Sequence, residues 1–74
     1  MSALPVVSGR EVVKALAKIG YAFDRQRGSH IIIRQQSPPH RRLTVPDHNE
    51  LAKGTLRAIL RQAGLTVEEF ENLL

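Results

Sequence analysis

The chain has 74 residues, no cysteine and a formal net charge of +4. This length allows one two-layer core, so we expect residues 1–74 to form a single domain. The lack of cysteine excludes disulfides, thiolate metal sites and a cysteine nucleophile. No apolar run approaches the ~20 residues that span a membrane, and no signal-peptide pattern is visible, so we expect a cytoplasmic protein without a membrane partner.

The charge is unevenly distributed along the chain. All eleven basic residues lie before Glu68, together with only four of the seven acids. A compact body with this excess of positive charge attracts polyanions, of which nucleic acid is the most abundant in a cell.

The first predicted element is an amphipathic helix over about residues 9–19. Ser8 and Glu11 form a capping box at its start. Gly20 is placed for a left-handed cap at its end. Apolar residues recur on one helical face, at Val12, Val13, Leu16 and Ile19.

Three predicted strands follow. Residues 21–25 alternate between apolar and polar, and Gly28 supplies a turn before the three isoleucines at 31–33. The prolines at 38–39 interrupt the chain, and a short strand at 43–45 stops at Pro46. This pattern predicts an antiparallel meander.

A second helix and a short final helix complete the chain. Gly64 ends a stripe of apolar residues at helical spacing, and Thr66 with Glu69 forms a second capping box; the stripe is Leu56, Ile59, Leu60 and Ala63. Helices that flank an antiparallel sheet cover one of its faces, which predicts a two-layer α+β sandwich with the other sheet face open.

His30 is the first candidate for chemistry. Strand alternation places His30, Ile32 and Arg34 on one face, and Ile31 and Ile33 on the face toward the helices. A histidine can exchange protons with the 2′-hydroxyl or the leaving 5′-oxygen of RNA, and a nearby arginine can stabilise charge on the phosphate. From the spacing alone, a polar strand residue that shapes the hairpin is the simpler interpretation.

A basic stripe on the second helix is the stronger signal. Lys53, Arg57 and Arg61 are four residues apart, which places them on one helical face. Gly54 and Thr55 lie near the helix start, where unpaired backbone amides favour anions. Residues 51–66 contain no acid, so phosphate binding is favoured over a merely solvated face.

The remaining basic residues leave alternatives open. Arg41 and Arg42 follow His40 after the two prolines, and they either bind a nucleic-acid backbone or keep a sheet edge soluble. Arg25 and Arg27 precede the glycine turn and extend the basic surface. In the loop before the second helix, His48 is either a second acid–base group or an ordinary surface residue.

Several other chemistries fit poorly. The histidines and scattered acids form no recognisable metal pattern, and no phosphate-binding glycine motif occurs, so no metal and no cofactor is expected. Ser29 and His30 do not form a triad, because neighbouring strand residues point to opposite faces. At least two of the three aromatic residues (Tyr21, Phe23 and Phe70) should lie in the core, which argues against an aromatic stacking platform.

Taken in order, these segments resemble one known family. The glycine, serine and histidine at 28–30, between the Tyr21-x-Phe23 strand and the isoleucines, resemble the signature of the HicA toxins. The segments 45–48 and 53–65, and the ending around residues 68–70, are similar to the rest of the family pattern. The resemblance covers residues 8–74.

The resemblance implies a double-stranded-RNA-binding-domain-like α-β-β-β-α fold and a translation-independent mRNA interferase that needs no metal. The family's catalytic histidine corresponds to His30. Apart from the resemblance, the candidate assisting groups in the sequence are Ser29, Arg34 and His48. A HicB-type antitoxin is expected to bind the chain and block this site, and no DNA binding is expected of the chain alone. The candidate RNA-binding residues are Arg25, Arg27, Arg41, Arg42, Lys53, Arg57 and Arg61.

Two other functions remain open at this point. A non-catalytic double-stranded-RNA-binding module would use the same basic helix, since such domains recognise helix shape and phosphates. A protein-interaction domain would instead dock its basic surface against an acidic partner. The first alternative requires no histidine on the central strand, so His30→Ala separates it from a ribonuclease.

Overall fold

The computed structural model describes residues 3–74. Their elements are helix α1 (Gly9–Ala17), strands β1 (Tyr21–Arg27), β2 (His30–Gln35) and β3 (Arg42–Pro46), helix α2 (Lys53–Ala63) and helix α3 (Val67–Glu71). The predicted α+β order, with its short C-terminal helix, is confirmed. No helix among the described residues is long and apolar enough to cross a membrane.

Two boundaries differ from the prediction. α1 ends before Ile19, because the amides of Lys18 and Ile19 bond to carbonyls three residues back and tighten the last turn. β1 continues two residues beyond position 25, because Arg27 pairs directly with His30 across a two-residue turn. Gly28 occupies that turn with a φ of +57°, a conformation that suits glycine.

The three strands form an antiparallel sheet in the order β1-β2-β3, as a meander requires. At one end of the sheet, His30 lies between Arg27 of β1 and Pro46 of β3. At the other end, Arg34 lies between Ala22 and Arg42. The register of β1 slips at position 24, which adds one residue to that strand.

Helices cover one face of the sheet. Ile31, Ile33, Leu43 and Val45 are buried on that inner face, and together with Tyr21 they form the floor of the core. The helical layer contributes the other buried apolar side chains, chiefly Val12, Leu16, Leu56, Ile59, Leu60 and Phe70. Within residues 3–74 every buried side chain of the core is apolar apart from the phenol of Tyr21.

Both long helices begin at the His30 end of the sheet. The amide of Gly9 donates to the His48 carbonyl (2.9 Å), and the amide of Leu51 donates to the Val7 carbonyl (2.9 Å). A Cβ added to Gly9 would lie 1.8 Å from the Pro46 carbonyl oxygen, so only glycine allows this approach. The loop after β3 therefore joins α1, α2 and the His30 end of the sheet.

Candidate functional site

The sheet face opposite the helices, which we call the open face, is the basic surface that carries His30. Strand register arranges it in three rows across the sheet. His30 and Arg34 are exposed on it and Ile32 is partly buried, as strand alternation predicts. From one end to the other, the rows are Arg27–His30–Pro46, Arg25–Ile32–Thr44 and Ala22–Arg34–Arg42.

Three guanidinium groups on the open face are free to meet a ligand. Arg25, Arg27 and Arg34 form no hydrogen bond or ion pair with any group of residues 3–74. Arg42 is paired with Asp24, with 3.4 Å between Nε and Oδ2. Both partners of that pair are substantially exposed, so the pair is weak and a phosphate can compete with it.

The strand register shows that the arginine beside His30 is not the one expected from strand alternation. Arg27 is its direct cross-strand partner, and Cα atoms in such pairs are about 5 Å apart. Arg34 lies four residues further along β2, about 13 Å away at the usual rise per strand residue. The expectation that Arg34 lies beside His30 is therefore corrected, and Arg27 takes that place.

Ser29 lies in the hairpin turn before β2, so the argument from strand alternation does not apply to it. Its carbonyl accepts a hydrogen bond from the Asp47 amide at 2.6 Å. This bond connects the turn that carries His30 to the loop after β3.

The Asp47 carboxylate joins three elements around that turn. Arg10 of α1 donates to it twice, from Nε at 3.1 Å and from Nη2 at 3.2 Å. Gln26 of β1 donates from Nε2 to Oδ2 of Asp47 and to the Gly28 carbonyl, both at 3.0 Å. Hydrogen bonds from Arg10 and then Gln26 hold the pKa of Asp47 below its ordinary value, although burial opposes the shift.

Asp47 is not among the candidate site residues that the sequence indicates. In the structure its charge is already matched by Arg10, whose own pKa is raised by the same hydrogen bond. No spacing rule connects positions 10, 26 and 47, so the network had no detectable signal in the sequence.

His48 lies at the same end of the sheet as His30. Pro46 pairs with His30 and begins the loop that contains His48, whose side chain is exposed. The structure thus brings two of the three histidines to one end and leaves His40 at the other. Residues 3–74 contain no group of three or more histidine or acidic side chains placed to hold a metal ion.

The basic stripe of α2 lies on a different layer. Lys53, Arg57 and Arg61 are exposed and have no side-chain partner within residues 3–74, while Leu56 and Leu60 face the core. The stripe is therefore separated from the open face by the core, and Arg25 and Arg27 extend the open face rather than the stripe. The two basic surfaces share one end of the molecule, where β2 and α2 both begin.

The start of α2 differs from the starts of the other helices. Ser8 and Thr66 cap α1 and α3 with complete capping boxes, as predicted. Ala52 occupies the equivalent position before α2 and provides no side-chain cap, and the first turn of α2 has no acid. The amides at this end and Lys53 therefore present positive charge to solvent.

Arg41 is used by the fold itself. Its Nη1 donates to the Gln62 carbonyl at 3.2 Å, which satisfies a backbone oxygen at the end of α2. Arg41 therefore stabilises the fold through a contact that neither of the two alternatives for residues 41–42 included. Arg42, by contrast, lies on the open face.

A sequence profile described as the HicA toxin of bacterial toxin–antitoxin systems matches residues 9–65. The chain belongs to the HicA toxin family. The matched region of this HicA-family chain runs from the start of α1 to just beyond α2, and so it contains the open face, Asp47 and the basic stripe. The family resemblance seen in the sequence is confirmed.

A solved structure supports the same assignment. It is described as a toxin–antitoxin complex from Streptococcus pneumoniae, and one of its chains is 38% identical to the HicA-family chain with a TM-score of 0.68. The similarity covers 80% of this chain and 98% of that chain. Comparison with curated protein sequences gave no match.

Proposed function

We propose that this HicA-family chain is a toxin that cleaves mRNA without a metal ion, with His30 as its proton-transfer residue. The observation that carries the proposal is the exposed imidazole of His30 beside the unpaired guanidinium of Arg27 on the open face. An open, shallow and basic site suits a polymeric anion better than a small molecule.

The reaction requires two proton transfers. The 2′-oxygen attacks the adjacent phosphorus as its proton leaves, and the bond from phosphorus to the 5′-oxygen breaks as that oxygen gains a proton. The products are a 2′,3′-cyclic phosphate and a 5′-hydroxyl. His30 performs one transfer, and the second falls to His48, at the same end of the sheet, or to water.

The arginines of the open face hold the phosphates. Arg27 is adjacent to His30 and stabilises the charge that develops on the scissile phosphate, since a guanidinium binds two phosphate oxygens at once. Arg25 and Arg34 hold the strand further along, and Arg42 joins them when it leaves Asp24. Lys53, Arg57 and Arg61 bind more distant backbone phosphates of the same RNA.

The proposed partner is a HicB-type antitoxin that covers the open face and blocks His30. Two observations support it: family membership, and the similarity to a chain of a toxin–antitoxin complex. An acidic antitoxin surface would match the unpaired arginines of this face.

Cleavage of a defined mRNA in EDTA, by wild type and by His30→Ala, tests the proposal. We expect wild type to produce fragments with 5′-hydroxyl ends and His30→Ala to cleave at least 100-fold more slowly. Lys14→Ala is a matched control, because Lys14 is an exposed residue of α1 away from the open face, and it should cleave normally.

Equal cleavage by wild type and His30→Ala would refute the role of His30. If neither protein cleaves but both bind RNA in a salt-dependent way, the chain is the non-catalytic RNA-binding module.

A further inference from the structure

Strand β3 forms one edge of the sheet, so one side of its backbone has no neighbouring strand. Two hydrogen bonds at the ends of its pairing with β2 fix which groups face that side. The Gln35 amide donates to the Arg41 carbonyl (2.9 Å), and the Asp47 amide donates to the Ser29 carbonyl (2.6 Å). Because the register between these bonds is unbroken, odd-numbered positions of 41–47 bond to β2, and the backbones of even-numbered positions face outward.

Two residues therefore offer free backbone groups at this edge. Arg42 and Thr44 each direct an amide N–H and a carbonyl outward, and no hydrogen bond within residues 3–74 uses these groups. The third outward position is Pro46, which has no N–H and whose carbonyl lies against Gly9. Alternate residues of a strand are about 6.7 Å apart, so the free groups have the spacing of an extended peptide.

The other edge of the sheet does not offer such a row. The register of β1 shifts between Phe23 and Arg25, so a bulge interrupts the spacing of the outward groups of that strand. Bulges are one of the devices that keep an edge from pairing with another chain. The outward row of β3 is short, but it is uninterrupted.

A groove of about 560 Å³ runs along the free edge of β3. Arg42 and Thr44 line one side of it, and α2 lines the other, from Gly54 through Ala58 to Gln62. The small side of α2 at positions 54 and 58 leaves space beside the strand. This stretch of helix is about 12 Å long, which accommodates three or four residues of an extended chain.

The surroundings of the groove are basic. Among the described residues that line it, Arg42 alone is charged, and a smaller groove lined by Arg41 continues it beyond Gln62. The basic stripe of α2 lies one position before each of residues 54, 58 and 62, about 100° around the helix, and so forms the neighbouring row. An acidic segment is attracted to this edge, whereas a second copy would bring the same cations against it.

The alternation of free donors and acceptors favours a protein segment over nucleic acid. The outward carbonyls of Arg42 and Thr44 need donors, which the phosphate oxygens of RNA do not supply. A peptide backbone carries one N–H and one carbonyl on each residue, so it satisfies both kinds of group at once.

We propose that β3 is the docking edge for an extended acidic segment of a partner protein, which adds a fourth strand to the sheet and occupies the groove beside α2. A carboxylate of this segment lies beside Arg42 and replaces Asp24, whose contact with Arg42 is exposed and long at 3.4 Å. In strand addition the main-chain hydrogen bonds supply affinity and alternate side chains supply specificity. The inference goes beyond the proposed function, because it requires neither His30 nor RNA.

An NMR titration of the isotope-labelled chain with an acidic peptide tests the proposal. The peptide has about six residues, the usual length of a strand, and alternates glutamate with valine. We expect the amide signals of Arg42 and Thr44 to shift and to exchange more slowly with solvent, because both amides gain an acceptor. A control peptide with lysine in place of glutamate should not bind.

Methylated peptides separate strand pairing from simple charge attraction. N-methylation of all the glutamates, or of all the valines, removes the donors from one edge of the peptide and keeps its charge. One of the two methylated peptides should bind at least about 5-fold more weakly, since two hydrogen bonds are lost. Which one it is shows whether the added strand is antiparallel or parallel to β3.

Variants of the chain test the same edge from the other side. Thr44→Pro removes an outward donor but no bond to β2, so the sheet tolerates it, and the peptide should bind about 2- to 12-fold more weakly. Thr44→Val keeps the amide and should bind like the parent. Ala58→Leu narrows the groove without altering the backbone of β3, and it should also weaken binding.

The outcomes are independent of RNA cleavage, so this proposal and the proposed function fail separately. Unchanged amides of Arg42 and Thr44 at millimolar peptide would overturn the docking edge, and so would equal binding of all the acidic peptides. If single-stranded RNA shifts these amides and the peptide does not, the groove binds nucleic acid and the proposal is refuted. It is also refuted if the amides are already protected in a dimer of the free chain.

Discussion

The neighbours of His30 are set by strand register rather than by sequence distance. Arg27 faces it across the hairpin, while Arg34, on the same strand and face, is about 13 Å away. Under the proposed function, the two arginines would therefore contact different phosphates of a bound strand. This difference separates a role in the chemical step from a role in binding.

The first prediction concerns these two arginines. Arg27→Ala should lower kcat for RNA cleavage by about 10- to 1,000-fold, because it removes a donor to the charge that develops in the transition state. Arg34→Ala should mainly raise KM, because its phosphate is bound equally before and during the reaction. Steady-state kinetics on a short RNA oligonucleotide would measure both, and an unchanged kcat for Arg27→Ala would contradict the assignment.

Between elements, the decisive contacts lie around the loop that follows β3. Asp47 joins α1, β1 and the hairpin turn, and Gly9 lets α1 start against the end of β3. The Asp47 contacts connect the hairpin turn that carries His30 to α1 and β1, and Gly9 places the start of α1 against the end of β3 that pairs with His30. The opposite end is held by Arg41 and Gln35.

The second prediction is a pH dependence from Asp47. Its pKa is lowered in the folded chain relative to its ordinary value of 3.8, so its ionised form stabilises the fold. That contribution is fully present above pH 3.8 and is lost as the pH falls through the lower folded value. Denaturant unfolding of wild type and Asp47→Asn should show a stability difference at pH 6 that shrinks below pH 4; a constant difference would exclude this linkage.

The third prediction concerns Gly9. Gly9→Ala places a methyl group on the Pro46 carbonyl, so α1 or the loop must shift, at a cost of about 1–3 kcal/mol. For a domain of this size, Tm should fall by roughly 5–20 °C. Gly54→Ala is the matched control: a Cβ there meets nothing within 4 Å, and alanine favours the helix, so its Tm should stay the same or rise. Equal Tm values for the two variants would count against the contact.

The whole molecule presents positive charge on two layers. The open face carries Arg25, Arg27 and Arg34, and α2 carries Lys53, Arg57 and Arg61, with the core between them. An RNA strand that reaches both surfaces must pass around the end where β2 and α2 begin. The number of phosphates bound at once therefore reports whether the two surfaces act together.

The fourth prediction follows from that geometry. In the His30→Ala background, the logarithm of RNA affinity should fall linearly with the logarithm of salt concentration, by about 0.7 per phosphate contact with a single strand. Arg57→Ala with Arg61→Ala should reduce this slope by about 1.4. Lys14→Ala should leave it unchanged, and an unaltered slope in the double variant would show that the stripe does not touch RNA.

Local rules made most of the fold predictable. The capping boxes at Ser8 and Thr66 act within one helical turn, and strand alternation around Ile31–Ile33 acts between neighbours, so both are visible in a linear chain. The same rules predicted an exposed His30 and an exposed stripe on α2. The end of α1 was misplaced because its last turn tightens into hydrogen bonds between residues three apart.

By itself, the sequence determined the order and type of the elements, the family, and the residues capable of chemistry, since these depend on residue identity and short-range spacing. Only the tertiary structure decided which of those residues meet: Arg27 with His30, Asp47 with Arg10 and Gln26, and Arg41 with the end of α2. It also placed the two basic surfaces on opposite layers and left Phe23 exposed. These outcomes depend on strand register and on contacts between residues 20 or more positions apart, and no local pattern encodes such contacts.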